Sequence, residues 1–180
     1  GSGTILIEAA LMAANIAPGM KRGFTALKWG HLIDKKVWDD CYDEAREMVD
    51  RSVAVDLEGS DLDPGMIQIA EQNARLAGVA DMIKFEQKDV GGLSHDGKYG
   101  FVITNPPYGE RLEEKENLPP LYRKLGERFK CLDTWSLYVI TSYEEAQRDI
   151  GRKADKNRKI YNGMMKTYYY QFMGPRPPRK

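Results

Sequence analysis

From Val53 to Ile140 short apolar runs alternate with stretches of helical spacing, and this alternation restricts the possible folds more than any other feature. A strand reads through Val53 to Asp61. Asp63-Pro64 then supplies an N-cap and a proline at the first helical position, and the helix that follows places Met66, Ile67, Ala70, Ala74 and Leu76–Ala77 on its apolar face until Gly78 stops it. Strands follow at Met82–Phe85 and Tyr99–Thr104, a helix at Leu118–Phe129 opened by two prolines, and a strand at Trp135–Ile140. Strands joined by helical crossovers give a mainly parallel sheet, and so an α/β fold. The end breaks the pattern. Lys159–Tyr161 and Met164–Phe172 flank Asn162-Gly163, the strongest short hairpin signal, so a C-terminal antiparallel hairpin should close the sheet.

Ahead of this region, Thr4 to Ala17 is apolar on nearly every face, as in a helix packed on a sheet, and Pro18-Gly19 ends it. Residues 18–33 read as irregular and 34–51 as a helix, so 18–51 forms an insertion before the first strand. The expected organisation is one α/β domain over 1–174 with a tail at 175–180. With 42% apolar and 30% charged residues, 180 residues bury one core. No run of about eighteen apolar residues or signal-peptide core is present, which points away from membranes. Cys41 and Cys131 lack CxxC spacing and His31 and His95 stand alone, so no metal site and a reducing cytoplasm are expected.

The zero net charge hides a polarity. Residues 148–180 carry ten Lys/Arg against two Asp, a net of +8, which leaves −8 for the rest. A polyanion met by one end of the chain fits this split, and so does a solvated basic tail.

Four segments carry chemistry. Gly1, Ser2, Gly3 and Thr4 precede a helix directly, where glycine permits close backbone approach and the helix start presents unpaired N–H groups. A foreign leader also begins Gly-Ser, but a helix continuing from Thr4 favours a natural loop, one whose preceding strand is missing here. At the end of a strand, Gly59-Ser60-Asp61-Leu62-Asp63 offers a carboxylate for the two hydroxyls of a ribose, with Asp63 as the helix cap and Asp61 turned to the ligand; a plain turn is the alternative. Asp89 could accept from an adenine amino group, with Val90 supplying a backbone N–H, although an exposed loop aspartate is the simpler reading.

Asn105-Pro106-Pro107-Tyr108 follows the apolar strand directly and decides between these readings. Two prolines stiffen the backbone and fix the direction of the Pro106 carbonyl, and Asn105 adds a side-chain carbonyl. Two acceptors aimed at one amine take both its protons and turn its lone pair out of the ring towards a methyl donor, which is catalysis by alignment and positioned dipoles. Tyr108 offers a flat face for an extruded base.

With GSGTILIEAALMAANIAPG, GSDLD, NPPYGER and IYNG, the chain resembles the methyltransferase domain of the THUMP-containing ribosomal RNA guanine-N2 methyltransferases, a family also labelled N6-adenine-specific DNA methylases. The resemblance covers essentially the whole sequence. It implies a class I, Rossmann-like methyltransferase sheet, S-adenosyl-L-methionine as cofactor, and a flipped or single-stranded guanine of large-subunit (23S) ribosomal RNA as acceptor. By position, Gly1 to Thr4 would line the cofactor, Asp61 and Leu62 its ribose side, Asp89 and Val90 its adenine, and Asn105 to Tyr108 the target base, with Asn105 touching both. The family's strand before GSGT and its THUMP module are absent from this sequence. Rival expectations are N6-adenine methylation of DNA and a catalytically idle RNA-binding domain.

Overall fold

The structure, a computed structural model, describes residues 1–107 and 112–179. The chain divides into two compact units, Gly1–Gln87 and Lys88–Lys180.

The first unit holds helices α1 (Thr4–Ala13), α2 (Lys35–Glu47) and α3 (Pro64–Ala77) and strands β1 (Glu58–Asp61) and β2 (Lys84–Gln87). β1 and β2 pair in parallel from Glu58↔Lys84 to Asp61↔Gln87, joined through α3 as the alternation requires. Asp63 caps α3, its carboxylate accepting from the Gly65 amide at 2.7 Å, Pro64 sits in the first turn, and Gly78 closes the helix at φ 79°. The core joins Ile7, Ala10, Ala74, Val79 and Ile83. Ala10 and Ala74 are fully buried, and such small side chains let helices approach closely. β1 is shorter than Val53–Asp61 because its ladder with β2 spans four residues, and β2 starts after a 3₁₀ turn at Ala80–Met82 that takes up the start of the expected strand. α1 stops at Ala13 rather than Ala17. Asn15 there adopts φ 52° and donates from its side chain to the Met48 carbonyl at 3.0 Å, a left-handed helix end set by a residue far away in sequence.

The second unit holds β3 (Phe101–Thr104), α4 (Leu112–Lys130), β4 (Ser136–Thr141), α5 (Ala146–Ile150), β5 (Lys156–Asn162) and β6 (Met165–Phe172). Its sheet runs β3-β4-β6-β5. β3 and β4 are parallel, while β6 runs antiparallel to both β4 and β5, giving the expected terminal hairpin. Two details differ. The hairpin turns at Gly163-Met164 rather than Asn162-Gly163, since Asn162 pairs with Met165 and Gly163, at φ 62°, takes the first turn position. α4 does not open at its prolines: it begins at Leu112 and carries Pro119 and Pro120 inside, giving up two amide donors.

Leu137, Val139 and Thr141 alternate inward along β4 and pack with Tyr122, Leu125, Ile150 and Phe172. The Tyr122 hydroxyl reaches Thr141 Oγ1 at 2.6 Å, so the buried polar pair is satisfied. At Gly126 a Cβ would stand 2.2 Å from the Ile150 carbonyl oxygen, so only glycine admits this approach of α4 to α5.

Asp149 is the one buried acidic side chain among the described residues of this unit, 4% exposed, and it accepts from the Tyr143 hydroxyl at 2.5 Å with Arg148 and Arg123 at 3.4 and 3.6 Å. Burial pushes its carboxyl up, but the Tyr143 hydrogen bond and the two guanidinium charges outweigh this, leaving its pKa below the ordinary carboxylate value. A folded-state pKa below the unfolded one contributes stability above about pH 4 that is lost as pH falls through the folded value. Urea unfolding should therefore separate wild type from Asp149→Asn at pH 7 and bring them together as pH falls below about 4. A gap that stays constant down to acid pH would contradict the ionised role of Asp149.

Candidate active site

In the first unit the glycine turn and the end of β1 come together. Gly3, at φ 79°, precedes α1, and its carbonyl accepts from the Ile7 amide at 3.0 Å to start the helix. A Cβ on Gly3 would stand 2.9 Å from Ala70 Cβ and 3.1 Å from the Phe85 ring. Both a left-handed φ and the lack of space demand glycine. Ser2 Oγ lies 2.9 Å from Thr4 Oγ1, and Asn73 on α3 donates to the Ser2 carbonyl at 3.0 Å. The loop is thereby tied to α3 as well as to α1.

Asp61 ends β1 with one carboxylate oxygen accepting from the Asp63 amide at 3.0 Å. Against the cost of burial, the Asp63 and Leu62 amides favour its ionised form. An anionic acceptor at a strand's carboxyl end suits paired hydroxyls. Leu62 beside it is exposed, and its carbonyl is held by Gln87 Nε2 at 3.1 Å, from the last residue of the neighbouring strand. Gly59 has a separate reason: a Cβ there would lie 2.4 Å from Leu6 Cδ1, so β1 must be bare where α1 crosses it.

In the second unit Asp89 caps the 3₁₀ turn Val90–Gly92, its Oδ1 accepting from the Gly91 amide at 2.8 Å and from Lys124 Nζ at 2.9 Å. The lysine ammonium and the amide hold its carboxyl below the ordinary value. Val90 packs against the core of this unit. Asn105 leaves the carboxyl end of β3 exposed, its side chain making no hydrogen bond among the described residues, with Pro106 half-buried and Pro107 exposed after it. Tyr108, expected to stack on the base, lies outside the described residues.

Three supporting residues escaped the sequence reading. Asn73 carried a signal, lying one helical turn beyond Ala70 on the face that meets the glycine loop. Gln87 carried one too, as the strand-end partner of Asp61 in a parallel pair. Lys124 carried none, since 35 residues separate it from Asp89. Among the described residues no group of three or more His, Cys, Asp or Glu is placed to hold a metal, and no helix is long and apolar enough to cross a membrane.

Parallel strands with helical crossovers, closed by an antiparallel hairpin, are the architecture of class I methyltransferases, a Rossmann-like α/β fold. A crystal structure of SMU.472, described as a putative methyltransferase complexed with SAH, bears this out: it matches 99% of this chain and 47% of its own with a TM-score of 0.93 at 40% identity. Residues 1–171 match the family described as RMKL-like, methyltransferase domain, and the chain belongs to that family. It is 44% identical over its whole length to the putative RNA methyltransferase YpsC of Bacillus subtilis, and 39% identical over 94% of its length to ribosomal RNA large subunit methyltransferase K/L of Shewanella baltica. The chain spans 47% of the first relative and 24% of the second.

Proposed function

We propose that this chain transfers a methyl group from S-adenosyl-L-methionine to the exocyclic N2 amine of a guanine in large-subunit ribosomal RNA, in the cytoplasm. The observation that carries the reading is the exposed Asn105 carboxamide, uncommitted among the described residues, at the end of β3 and followed by two prolines. Family membership and the names of the YpsC and K/L relatives support an RNA acceptor.

The residues of the first unit suit the cofactor. Gly3 leaves a backbone that no Cβ could occupy, Asp61 is an ionised acceptor for ribose hydroxyls, and Leu62 is an exposed apolar side chain beside it. In the second unit, Asp89 and Val90 would serve the adenine. S-adenosyl-L-methionine supplies an electrophilic methyl on a sulfonium.

Asn105 Oδ1 and the Pro106 carbonyl would accept hydrogen bonds from the two amine N–H groups, which directs the nitrogen lone pair out of the ring plane, and the one proton that the amine loses on methylation goes to solvent. Transfer is direct, and no side chain forms a bond to the base. Tyr108 stacks on the flipped base. Single-turnover transfer of labelled methyl to ribosomal RNA lacking the modification, followed by nucleoside mass spectrometry, tests the reading: N2-methylguanine is expected. N6-methyladenine would leave the enzyme class and remove the substrate, and no transfer at all would favour an idle RNA-binding domain.

The basic end supplies phosphate contacts. Arg152 is committed elsewhere, donating to Asp155 at 3.0 Å and to the Met173 carbonyl at 2.9 Å, but Lys153, Lys156, Arg158 and Lys159 are exposed on and beside the end strand β5. Neutralising Lys156, Arg158 and Lys159 together should flatten the salt dependence of RNA binding by roughly 2 units of slope, at about 0.7 per phosphate on single strands. Filter binding across a salt series measures it, and an unchanged slope would make the strand merely solvated.

A further inference from the structure

The insertion encloses a feature that the methyl-transfer site does not use. α2 is thirteen residues long and buries none of them, yet Lys35, Trp38, Tyr42 and Arg46 recur along it at intervals of three, four and four. That spacing puts cation, indole, phenol and cation on one face of the helix. All four line an open pocket of about 540 Å³ whose other wall includes Lys21 and Arg22.

Two of the cations are tied down, Lys21 to the Leu76 carbonyl at 2.7 Å and Arg46 to Asp43 at 2.5 Å. Arg22 lies 5.3 Å over the Phe24 ring, and Lys35 makes no hydrogen bond or ion pair among the described residues. Asp39 is the single carboxylate in the wall. Phe24 stacks on Trp38 with centroids 6.2 Å apart and planes 19° apart, bracing the indole. Trp38 Nε1 is buried and finds no partner among the described residues.

We propose that this pocket is a second RNA subsite that holds one unpaired nucleotide away from the reacting amine, its base against Trp38 and Tyr42 and its phosphates at Arg22 and Lys35. The volume lies within the roughly 300–1,000 Å³ of ligand pockets and accommodates a nucleotide. Interleaved cations and aromatic rings suit a single strand, because every base offers a face to stack and every phosphate a charge. A protein-docking core would instead be depleted of lysine. The inference rests on the RNA acceptor argued above and assigns the insertion a part in holding that RNA.

A fluorescein-labelled decauridylate tests it, since it contains no guanine and reports binding independently of methyl transfer. In the full chain, Arg22→Gln with Lys35→Gln should lower the salt slope of decauridylate binding by about 1.4, at 0.7 per phosphate. Tyr42→Leu should weaken that binding by about tenfold, the usual order for one lost base stack. S-adenosylhomocysteine binding should stay at wild type in these variants, which leave the Phe24–Trp38 stack in place. With ribosomal RNA, KM should rise and kcat hold. Decauridylate carrying 4-thiouridine should crosslink to a peptide within residues 20–46. Wild-type affinity and slope in every variant, with crosslinks elsewhere, would overturn the subsite and leave the pocket to a protein ligand. Loss of methyl transfer to all RNA with these effects intact would instead sink the proposed reaction.

Discussion

Asn105→Ala is expected to lower the single-turnover rate of methyl transfer by about 10²–10³, the usual cost of removing one oriented dipole at a reacting centre. The expectation follows from where the residue stands. Asn105 is the first residue beyond β3, whose register with β4 runs from Phe101↔Ser136 to Thr104↔Val139, so the ladder fixes the backbone up to its neighbour. Pro106 and Pro107 restrict the chain on the other side. The carboxamide makes no hydrogen bond among the described residues and is exposed, so its loss removes no packing, and the folding midpoint should be close to wild type. Asn105→Asp is the sharper variant because it keeps an acceptor oxygen. Substantial activity with aspartate and little with alanine supports an acceptor; equal loss in both points instead to the amide N–H₂ group. Tyr108→Ala should mainly weaken capture of the base, by about 1–3 kcal/mol of lost stacking. Transfer at the wild-type rate by Asn105→Ala would remove the strand-end motif from the chemistry.

Local signals were legible in the sequence where local physics decides. Asp63-Pro64 and Gly78 bound α3 because an N-cap, a first-turn proline and a left-handed glycine each act within a few residues. The α/β class followed from alternation and the antiparallel close from the Asn-Gly pair, and RMKL-like membership agrees with the resemblance carried by the motifs. Partners distant in sequence were not legible. The end of α1 depends on Asn15 meeting Met48 and on the Asp50 amide donating to the Ala14 carbonyl, both more than thirty residues away. The hairpin turn moved by one residue because the β5–β6 register, not the turn dipeptide alone, sets which residues pair. Pro119 and Pro120 suggested a helix start, yet the polar stretch before them is already helical. Lys124 on Asp89 had no signal, and it changes the chemistry of that aspartate by engaging one of its oxygens before any ligand arrives.

Asp61→Ala is expected to weaken S-adenosylmethionine binding by about 1–3 kcal/mol, the loss of charge-assisted hydrogen bonds to two ribose hydroxyls. The size depends on the carboxylate being ionised and already oriented. Both conditions hold: an aspartate is ionised at pH 7, and the Asp63 amide at 3.0 Å fixes one oxygen. An oriented acceptor loses little freedom when a ligand arrives, so most of its hydrogen-bond energy appears in affinity. Asp61→Asn separates charge from geometry, since it keeps one acceptor and replaces the other with a donor; its loss should fall between wild type and alanine. Removing Asp61 also takes away the partner of the Asp63 amide, so a thermal melt must accompany the titration to exclude a disturbed start of α3. Calorimetry with S-adenosylhomocysteine at pH 7 measures the affinity. Because the contact needs the ionised carboxyl, wild-type affinity from it should be flat from pH 8 to about 5 and fall in more acid solution, while the alanine variant shows no such fall from this residue. An unchanged dissociation constant in Asp61→Ala would take the end of β1 out of the cofactor site and leave the Asp61 carboxylate as a brace for the turn into α3.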